Sequence, residues 1–427
     1  MAWRPKAKAR AEGELRDLVI ERVGAQGDGV AAGPVFVGET LPGERVRAKV
    51  SGDRGELAKV LQPSADRTTP PCPHFGACGG CALQHWEPPP YLAWKVEQIR
   101  LALAWERLET EFAPAFAAQP GSRRRLALHA RPGRAGEAQI GFKARRSWKL
   151  TPIEVCPVAD PRLVAAFPAL RRLAAPLFEH AKSAPTLHTT LTETGLDVDI
   201  TGVERRTGAL SADAQARVAE AAAAADFARV TLNGETLYQA RQPMVRAGAA
   251  MVALPPGAFL QAVAEAEAAM AAFAVEALAG AKIVADLYCG VGAFALRLAE
   301  HATVTAYDVS EPATRALASA QGAASRLKAI TAGARDLVRR PVLAMELDKV
   351  DAAVIDPPRA GAAEKHHQIA ASRLARVVSV SCNPVTFARD ARILTDAGFT
   401  LQRVLPVDQF LWSPHAELVG VFERSGG

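Results

Sequence analysis

The sequence predicts a multidomain α/β protein with a small N-terminal β-barrel, a central α+β domain and a C-terminal α/β domain. The chain has 427 residues, and at about 150 residues per domain that length corresponds to roughly three domains. Residues 14–66 contain short apolar runs separated by glycines, which is typical of a small barrel. From residue 256 onwards helical and strand patterns alternate, which predicts βαβ units and a largely parallel sheet.

Each predicted domain has its own sequence character. A basic tail, residues 1–13, precedes the barrel, whose strands are predicted in LVIERV, PVFVG, ERVRAKV and GELAKVLQ. The central domain, 67–255, opens with a loop rich in proline, glycine and cysteine and continues with mixed strands and helices, one of them over 163–181. The C-terminal domain, 256–427, opens with a helical pattern over 259–278.

The composition excludes several classes of protein. Hydrophobic residues make up 49% of the chain and charged residues 22%, which excludes a mainly disordered chain. No apolar run approaches the roughly 20 residues of a membrane span, and no apolar stretch follows the basic N-terminus as in a signal peptide. We expect a cytoplasmic protein without a membrane partner or an evident obligate protein partner. The net charge of +6 mildly favours an anionic partner.

A glycine turn after a predicted strand indicates a nucleotide-type ligand. In DLYCGVGAFA, the strand ends near Asp286, and Gly290 and Gly292 allow a ligand to approach the backbone closely. The next strand ends in Asp308, where an acid can accept the hydroxyls of a ribose. The same segment also matches the loose G-x-G-x-x-A motif of dinucleotide-binding enzymes. A turn that only serves packing and binds no ligand is a further interpretation.

The loop Asp356-Pro-Pro-Arg359 favours methyl transfer over hydride transfer. It follows another strand, so it lies at the same edge of the predicted sheet. A hydride-transfer site has no need of a rigid acidic loop there. Methyltransferases that bind S-adenosylmethionine place such a loop beside the adenosine and the target base.

Two further residues are candidates for chemistry. Cys382, in Val-Ser-Cys-Asn-Pro, closes a strand at that edge, and the following helix could lower the pKa of its thiol. A lone cysteine is more often a small buried hydrophobic residue, which is the interpretation we prefer for Cys289. Glu417 begins an apolar strand, and the pattern alone leaves it equally a general base or a surface residue.

The other four cysteines suit a metal. Cys72, Cys78 and Cys81 lie in one loop, and Cys156 supplies a fourth thiol. Four thiolates bind either zinc or an iron–sulfur cluster. The spacing of three plus one only slightly favours the cluster.

Taken together, these motifs resemble the bacterial RNA uridine-5-methyltransferases that carry a TRAM domain and a 4Fe–4S cluster and act on 23S ribosomal RNA. The resemblance extends over nearly the whole chain and rests on Cys72-x5-Cys78-Gly-Gly-Cys81, DLYCGVG, DPPR and SCNP. It implies a TRAM-like barrel, a Rossmann-like methyltransferase domain and a helix near 91–107 that packs on that domain.

The resemblance also implies roles for single residues. Cys382 would be the nucleophile and Glu417 the base, and the four cysteines Cys72, Cys78, Cys81 and Cys156 would hold the cluster. The residues implied for the S-adenosylmethionine site, together with the two glycines of the turn, are Gln261, Tyr288, Gly290, Gly292, Ala293, Asp308, Asp336 and Asp356. The chain departs from the family at Val263, where asparagine is frequent, at Ala293, where asparagine or threonine is frequent, and at Asp308, where glutamate is common.

RNA is the implied partner. Basic residues that could contact phosphates cluster in three places, although a solvated basic face would give the same pattern. The clusters are Arg4, Lys6, Lys8 and Arg10; Arg123, Arg124 and Arg125; and Lys143, Arg145, Arg146 and Lys149. The target base must be unpaired or flipped out. Three alternatives remain. A transfer-RNA uridine-5 methyltransferase is disfavoured because, as the resemblance implies, that branch lacks the barrel and the cluster, and a cytosine-5 methyltransferase is disfavoured because the Asp356 loop has no cysteine. The third alternative is a non-catalytic RNA-binding iron–sulfur protein.

Overall fold

The computed structural model describes residues 13–134, 138–204 and 210–424. The described chain divides into two compact units, one formed by residues 13–94 with 412–414 and the other by residues 95–411 with 415–424. The first unit contains the barrel, and the second contains both the central and the C-terminal sheets. The domain boundaries given above stay predictions, and the basic cluster at Arg4, Lys6, Lys8 and Arg10 lies outside the described residues.

The N-terminal unit confirms the predicted barrel. Its five strands close in the order β1-β2-β3-β5-β4. Alternate residues of β4 point inward, so that Val46, Ala48 and Val50 join the barrel core while the arginines and lysine between them face solvent. The strand β2 was not predicted from the sequence. The strands are β1 (Glu14–Val23), β2 (Asp28–Ala31), β3 (Val35–Gly38), β4 (Arg45–Ser51) and β5 (Arg54–Gln62).

A helix and two short strands connect the barrel to the central sheet: α1 (Pro88–Trp105), β6 (Glu111–Phe112) and β7 (Phe116–Ala117). The boundary between the two units falls within α1, after Trp94. Ile99 and Leu103, from the second half of α1, are buried in a core cluster together with Ile355 and Phe387 of the C-terminal domain.

The central sheet has seven strands in the order β10-β9-β8-β11-β12-β13-β14. The single helix expected over 163–181 is wrong. Pro168 and Pro176 begin new helical segments, because proline cannot donate the backbone hydrogen bond that a continuous helix needs. The elements are β8 (Arg125–Pro132), β9 (Ala138–Lys143), β10 (Leu150–Pro152), α2 (Pro161–Ala165), α3 (Phe167–Ala174), a 3-10 turn (Ala175–Leu177), β11 (Thr186–Thr192), β12 (Gly195–Thr201), α4 (Ala212–Ala224), β13 (Arg229–Leu232) and β14 (Glu235–Gln239).

The C-terminal domain confirms the predicted alternation of helices and strands. A hairpin, β15 (Met244–Ala247) and β16 (Ala250–Ala253), leads into it. The elements are α5 (Ala264–Ala277), β17 (Ile283–Leu287), α6 (Ala295–Leu298), β18 (Thr303–Asp308), α7 (Glu311–Ala323), β19 (Ile330–Ala334), α8 (Ala344–Leu347), β20 (Ala352–Ile355), α9 (Ala363–Ala371), β21 (Arg376–Ser381), α10 (Pro384–Asp396), β22 (Phe399–Asp408) and β23 (Glu417–Arg424).

These strands form one sheet in the order β19-β18-β17-β20-β21-β23-β22-β6, and β7 also pairs with β22. The pairs from β19 to β21 are parallel, and β23 is antiparallel to both of its neighbours. The chain leaves β17 towards β18 on one side and returns to β20 on the other. In parallel α/β sheets, ligands bind at such a reversal, beyond the carboxyl ends of the strands.

The first helix of this domain begins later than the sequence predicts. The pattern starts at residue 259, but α5 starts at Ala264. The backbone of Gln261 and Ala262 is bonded to side chains instead of to a helical turn: the carbonyl of Gln261 accepts a hydrogen bond from Arg124, and the N–H of Ala262 donates to Gln409. This irregular segment brings the Gln261 side chain to the carboxyl edge of the sheet.

Candidate active site

The turn after β17 forms the floor of the site. Tyr288 has a φ of 67°, and Gly290 and Gly292 have φ angles of 52° and 100°. This left-handed region is costly for a residue with a Cβ atom, so glycine suits both positions. A Cβ atom at Gly290 would meet nothing within 4 Å, whereas one at Gly292 would lie 2.5 Å from Leu317. Gly290 therefore faces open space, and Gly292 allows the turn to pack against α7.

Asp308 is tied to this turn. One of its carboxylate oxygens accepts a hydrogen bond from the N–H of Gly290 at 3.0 Å, and the other accepts one from the N–H of Ser310 at 2.8 Å. These bonds hold the carboxylate beside the open face of Gly290. A carboxylate held at the end of the second strand is well placed to accept the hydroxyl hydrogens of a ribose.

Asp336 lies near the same turn, in the loop after β19. Its carboxylate accepts hydrogen bonds from the N–H groups of Val338 and Arg339, chiefly the latter, which lower its pKa. Burial, followed by the charges of Asp336 and Asp308, raises the pKa of Tyr288 to about 12. Asp336 and Asp308 therefore place negative charge near the Tyr288 ring.

Ala293 is partly buried and its backbone is already engaged. Its carbonyl accepts a hydrogen bond from the Arg297 guanidinium at 2.5 Å. Arg297 also pairs with Glu267, which in turn pairs with Arg124. Of the backbone groups of Ala293, the N–H is therefore the better candidate for a ligand contact.

Three carboxyl groups are buried inside the site, where burial favours their neutral forms. Burial raises the pKa of Asp286 and that of Glu417 to about 7 each. Asp356, directly after β20, has a pKa well above its ordinary value because of burial and because of the charges of Glu417 and Asp286. A cationic ligand relieves repulsion among neighbouring carboxylates. The site is therefore complementary to positive charge.

Cys382 lies opposite Glu417. Ser381, the last residue of β21, pairs with Leu418 of the antiparallel strand β23. Cys382, which follows Ser381, therefore faces Glu417, which precedes Leu418. Burial raises the pKa of the Cys382 thiol, the charges of Glu417 and Asp356 raise it further, and Arg359 opposes them. The pKa of this thiol therefore moves in the direction opposite to the lowering that the sequence suggested, because burial and two neighbouring carboxyl groups raise it.

Glu417 is not a surface residue. Its side chain is 3% exposed, so the surface interpretation that the sequence left open does not hold. The side-chain N–H of Gln409 donates to its carboxylate, and this bond partly offsets the effect of burial on the pKa of Glu417. Sequence analysis did not identify Gln409, whose one distinguishing feature is that it directly follows β22.

Gln409 also fixes the orientation of Gln261. The oxygen of Gln409 accepts the N–H of Ala262 at 2.9 Å, so its nitrogen must be the group that faces Gln261. That nitrogen donates to the side-chain oxygen of Gln261 at 2.7 Å, and the nitrogen of Gln261 then donates to Asp356 at 3.2 Å. This chain of amides joins Glu417 to Asp356.

The structure thus brings most of the predicted site residues to one edge of the sheet. Cys382, Glu417, Gln261 and Asp356 are connected by hydrogen bonds or by close charges on one side. On the other side lie Tyr288, Gly290, Asp308 and Asp336, with Gly292 and Ala293 in the same turn. Cys289 is buried and its pKa is raised by burial.

The four predicted metal ligands are all partly exposed cysteines. In the first unit, the N–H of Cys72 donates to Gln84, and the pKa of Cys78 is raised by burial with a contribution from Cys72. Cys156 belongs to the second unit. Within the part of the chain that the structure describes, no three histidine, cysteine, aspartate or glutamate side chains lie close enough to hold a metal ion. The donor types suit a cluster, but the geometry does not support one.

The predicted basic clusters differ in their surroundings. Arg124 pairs with buried Glu267, and Arg123 and Arg125 donate to backbone carbonyls. Lys143 instead lies 4.0 Å from the ring centre of Trp148, which is 87% exposed. Only the second arrangement is an open basic and aromatic surface. Among the described helices, none has the length and apolarity to cross a membrane.

The arrangement can combine three chemical tasks. A thiol and a buried carboxylate oppose each other at 382 and 417, which suits addition to a ring and removal of a proton from it. The amide nitrogen of Gln261 provides a donor beside them. The turn at 288–293, with Asp308, provides the open backbone and the acid that suit an adenosine.

Comparisons with known proteins agree with this site. A family model described as tRNA (Uracil-5-)-methyltransferase matches residues 245–425. An RNA methyltransferase of Caulobacter vibrioides is 64% identical over 415 residues, which cover 96% of this chain and all of that protein. The 23S rRNA (uracil(1939)-C(5))-methyltransferase RlmD of Halomonas elongata is 33% identical over 97% of this chain and 91% of its own length.

A solved structure shares the fold. The tRNA (uracil-54, C5)-methyltransferase of Pyrococcus abyssi, in complex with S-adenosyl-L-homocysteine, superposes with a TM-score of 0.72 at 23% identity, over 95% of this chain and 99% of its own. A protein whose name specifies a transfer RNA therefore shares its architecture with nearly the whole of this chain. Domain content, on which the sequence disfavoured a transfer-RNA enzyme, does not separate the two kinds of protein.

Proposed function

Because the chain belongs to the S-adenosylmethionine-dependent RNA methyltransferases, we propose that it methylates carbon 5 of a uridine in RNA through a covalent adduct of Cys382. The observation that carries this proposal is that Cys382 and the buried Glu417 oppose each other at the ends of β21 and β23. Carbon 5 of uracil is a poor nucleophile, so the reaction needs a thiol that adds to carbon 6 and a base that takes the carbon 5 proton.

The steps follow from that need. The Cys382 thiol loses its proton, and the sulfur of the resulting thiolate forms a bond to carbon 6. The electron pair of the carbon 5–carbon 6 double bond moves towards carbon 5 and the neighbouring carbonyl. S-adenosylmethionine supplies an electrophilic methyl group, and carbon 5 takes it while the electron pair of the broken bond stays on the donor sulfur. Glu417 accepts the carbon 5 proton, the double bond re-forms, and the thiolate of Cys382 leaves.

The methyl donor would bind along the turn at 288–293. Open space before Gly290, the carboxylate of Asp308 and the ring of Tyr288 with Asp336 beside it suit an adenosine. Gln261 and Asp356 lie between this turn and Cys382, and Gly292 and Ala293 complete the turn. S-adenosylmethionine is cationic near its sulfur, and a cation nearby favours the ionised forms of Asp356 and Asp286, whose pKa values burial raises.

The RNA target is proposed to be 23S ribosomal RNA. The support is the 33% identity with the Halomonas elongata protein over nearly the full length of both. A transfer RNA is the second candidate, because the matching family model and the Pyrococcus abyssi structure are both described by that substrate. The cytoplasm stays the predicted compartment.

Two surfaces are proposed to contact the RNA outside the active site. The five-stranded barrel is proposed to be a TRAM-like domain. The hairpin of β9 and β10 presents Lys143, Lys149 and the exposed ring of Trp148, a combination that suits phosphates and an unstacked base. Arg145 and Arg146 extend the positive charge of this hairpin.

The 4Fe–4S cluster at Cys72, Cys78, Cys81 and Cys156 is a proposal that rests on the donor set. Four partly exposed cysteines suit this cluster or zinc by their donor type. The uracil chemistry requires no electron transfer, so the metal would have a structural role.

A trapping experiment tests the proposed reaction. RNA that contains 5-fluorouridine, incubated with the enzyme and S-adenosylmethionine, should give a complex that survives denaturant, because fluorine cannot leave as a proton. Separate transcripts of 23S ribosomal RNA and transfer RNA distinguish the two targets. Cys382→Ala should abolish the complex. A denaturant-stable complex with Cys382→Ala would exclude Cys382 as the nucleophile.

A further inference from the structure

One face of the central sheet is polar although it is largely covered. In the strand register, Thr190 of β11 pairs with Arg125 of β8 and with Asp197 of β12, and His188 pairs with Asp199. These side chains alternate with leucines, valines and isoleucines that point to the opposite, buried face. A sheet face that only supported packing would need no such row of charged and polar groups.

A cavity of about 240 Å³ opens on this face. At about 30 Å³ per water molecule it holds about eight waters, which is the size of one nucleobase. The pockets that bind drug-sized ligands are larger, about 300–1,000 Å³. Its lining side chains are Arg125, His188, Thr190, Asp197, Asp199 and Thr201.

One carboxylate oxygen of the cavity accepts no hydrogen bond from the described residues. Both carboxylate oxygens of Asp197 accept hydrogen bonds from Arg229, at 2.9 and 2.8 Å. The Oδ1 atom of Asp199 accepts from the hydroxyl of Thr231 at 2.6 Å and from the N–H of Gly234 at 3.1 Å. Its Oδ2 atom takes no hydrogen bond from any described residue and lies beside Gly257. Asp199 Oδ2 is therefore the carboxylate oxygen of the lining that is most available to a ligand.

Arg125 supplies the donors. Its Nη1 atom donates to the carbonyl of Leu260 at 2.7 Å, and its guanidinium lies 5.5 Å from the ring centre of Phe259. Within the described chain, its Nε and Nη2 groups have no acceptor. Burial, more than the charges of Arg124 and Arg123, lowers the pKa of Arg125 to about 10. A partly desolvated guanidinium edge in the same cavity as the Asp199 carboxylate suits the edge of a base.

The cavity is close to the active site along the chain. Gly257 lines the cavity, and Gln261, four residues later, contacts Asp356. Four extended residues span at most about 14 Å. Arg124, next to Arg125, holds the carbonyl of Gln261 at 3.1 Å. A nucleotide close to the target uridine in the RNA strand can therefore reach the cavity while the uridine lies beside Cys382.

We propose that this cavity binds a second unpaired base of the RNA substrate, a guanine or a cytosine close to the methylated uridine, read by Arg125 and Asp199. The proposal rests on the proposed function. Two carboxylates in the lining disfavour a phosphate. Guanine and cytosine each present two adjacent acceptors next to a donor. In guanine the acceptors are O6 and N7 and the donor is N1–H, and in cytosine the acceptors are O2 and N3 and the donor is the N4 amino group. Uracil and adenine lack this arrangement.

Selection from a pool of RNAs tests the proposal without requiring catalysis. The pool carries one uridine flanked on both sides by short random segments, and the fraction that binds the full-length protein with S-adenosylmethionine is sequenced. The wild-type protein should enrich guanine or cytosine at one fixed position near the uridine. Asp199→Asn should reduce that enrichment at least about fivefold, the discrimination of one good base contact, because the amide keeps Oδ1 for Thr231 and Gly234 but replaces the free acceptor with a donor.

The matched control is Asp226→Asn, an exposed residue that pairs with Arg241 at the surface and should leave the enrichment unchanged. A measurement on the wild-type protein needs no variant: an RNA with an abasic site at the enriched position should bind at least about fivefold more weakly. Uniform base usage at every position, or an Asp199→Asn enrichment equal to that of the wild type, would overturn the proposal. A failed 5-fluorouridine trap with a preserved base preference would instead overturn the proposed reaction alone.

Discussion

The side-chain N–H of Gln409 donates a hydrogen bond to the carboxylate of Glu417, and both side chains are almost fully buried, at 2% and 3% exposure. Burial favours the neutral acid, whereas a donated hydrogen bond favours the carboxylate. Burial and the hydrogen bond from Gln409 thus act in opposite directions, and together they place the pKa of Glu417 at about 7. A base with a pKa near the working pH is both free to accept a proton and basic enough to remove one.

Replacing Glu417 with glutamine should separate the two halves of the reaction. Glu417→Gln can still form the Cys382 adduct and transfer the methyl group, but it cannot take the carbon 5 proton. We expect turnover to fall by about 10²–10⁴-fold, the usual contribution of a general base, and a denaturant-stable adduct to accumulate on ordinary RNA. Gel electrophoresis of the denatured reaction with labelled RNA measures this. Normal turnover without an adduct would show that Glu417 is not the base.

Removing the amide of residue 409 should change the pH dependence of the rate. Gln409→Leu deletes the donor that stabilises the charged form of Glu417, so the pKa of Glu417 rises further. The base is active when deprotonated, so the acid limb of the pH–rate profile should move to higher pH by about one to two pH units. This size follows because a hydrogen bond to a charged group contributes about 1.5–3 kcal/mol and a pKa shift of one unit corresponds to about 1.4 kcal/mol. Single-turnover rates between pH 5.5 and 9 are the measurement.

The exposed Gln402, on the same strand, is the matched control for that experiment. Gln402→Leu should keep the wild-type profile. An equal loss of rate for Gln409→Leu at every pH would indicate a purely structural role, because only a change in the ionisation of Glu417 makes the loss depend on pH.

Lys95 and Asp408 form a buried ion pair that positions the end of β22. Their atoms Nζ and Oδ1 lie 2.5 Å apart, and Nζ also donates to the carbonyl of Phe410 at 3.0 Å, on either side of Gln409. Lys95→Met leaves a buried carboxylate without its cation and should lower the free energy of unfolding by about 3–5 kcal/mol. Denaturant titration should show that adding Asp408→Asn recovers part of this loss.

Arg100 provides the comparison for the ion pair, because it pairs with Glu97 on the exposed side of the same helix. Arg100→Ala should cost less than about 1 kcal/mol. A Lys95→Met protein as stable as the wild type would mean that Asp408 becomes neutral or hydrated at little cost.

The four thiols should determine the metal content. Protein purified without oxygen should be brown and carry about four irons per chain if the 4Fe–4S proposal is right. Cys156→Ser should lose iron while S-adenosylmethionine still binds, because Cys156 is remote in sequence from the turn at 288–293. Cys289→Ala, a change at a buried packing thiol, should keep the iron. A colourless protein with one zinc would contradict the cluster and leave the methyltransferase function untouched.

The sequence alone determined the local features of this protein. Short strands with glycine turns predicted the barrel, and alternating helices and strands predicted the parallel sheet, because hydrophobic periodicity and glycine placement are local properties. The sequence identifies Gly290, Asp308, Asp356 and Cys382 because each lies at the end of a strand or shortly after it, and the carboxyl ends of parallel strands meet at one edge of a sheet.

Only the tertiary structure decided how these residues act. Gln409 follows an unremarkable apolar strand, and it matters because β22 and β23 pair and bring it against Glu417 and Gln261. The pattern before α5 predicted helix at Gln261, but contacts with distant Arg124 and Gln409 replaced the helical hydrogen bonds there. The pKa of Cys382 is raised instead of lowered because long-range pairing places Glu417 and Asp356 beside it. Burial and charge depend on neighbours that are far apart in the sequence, and no local pattern encodes them.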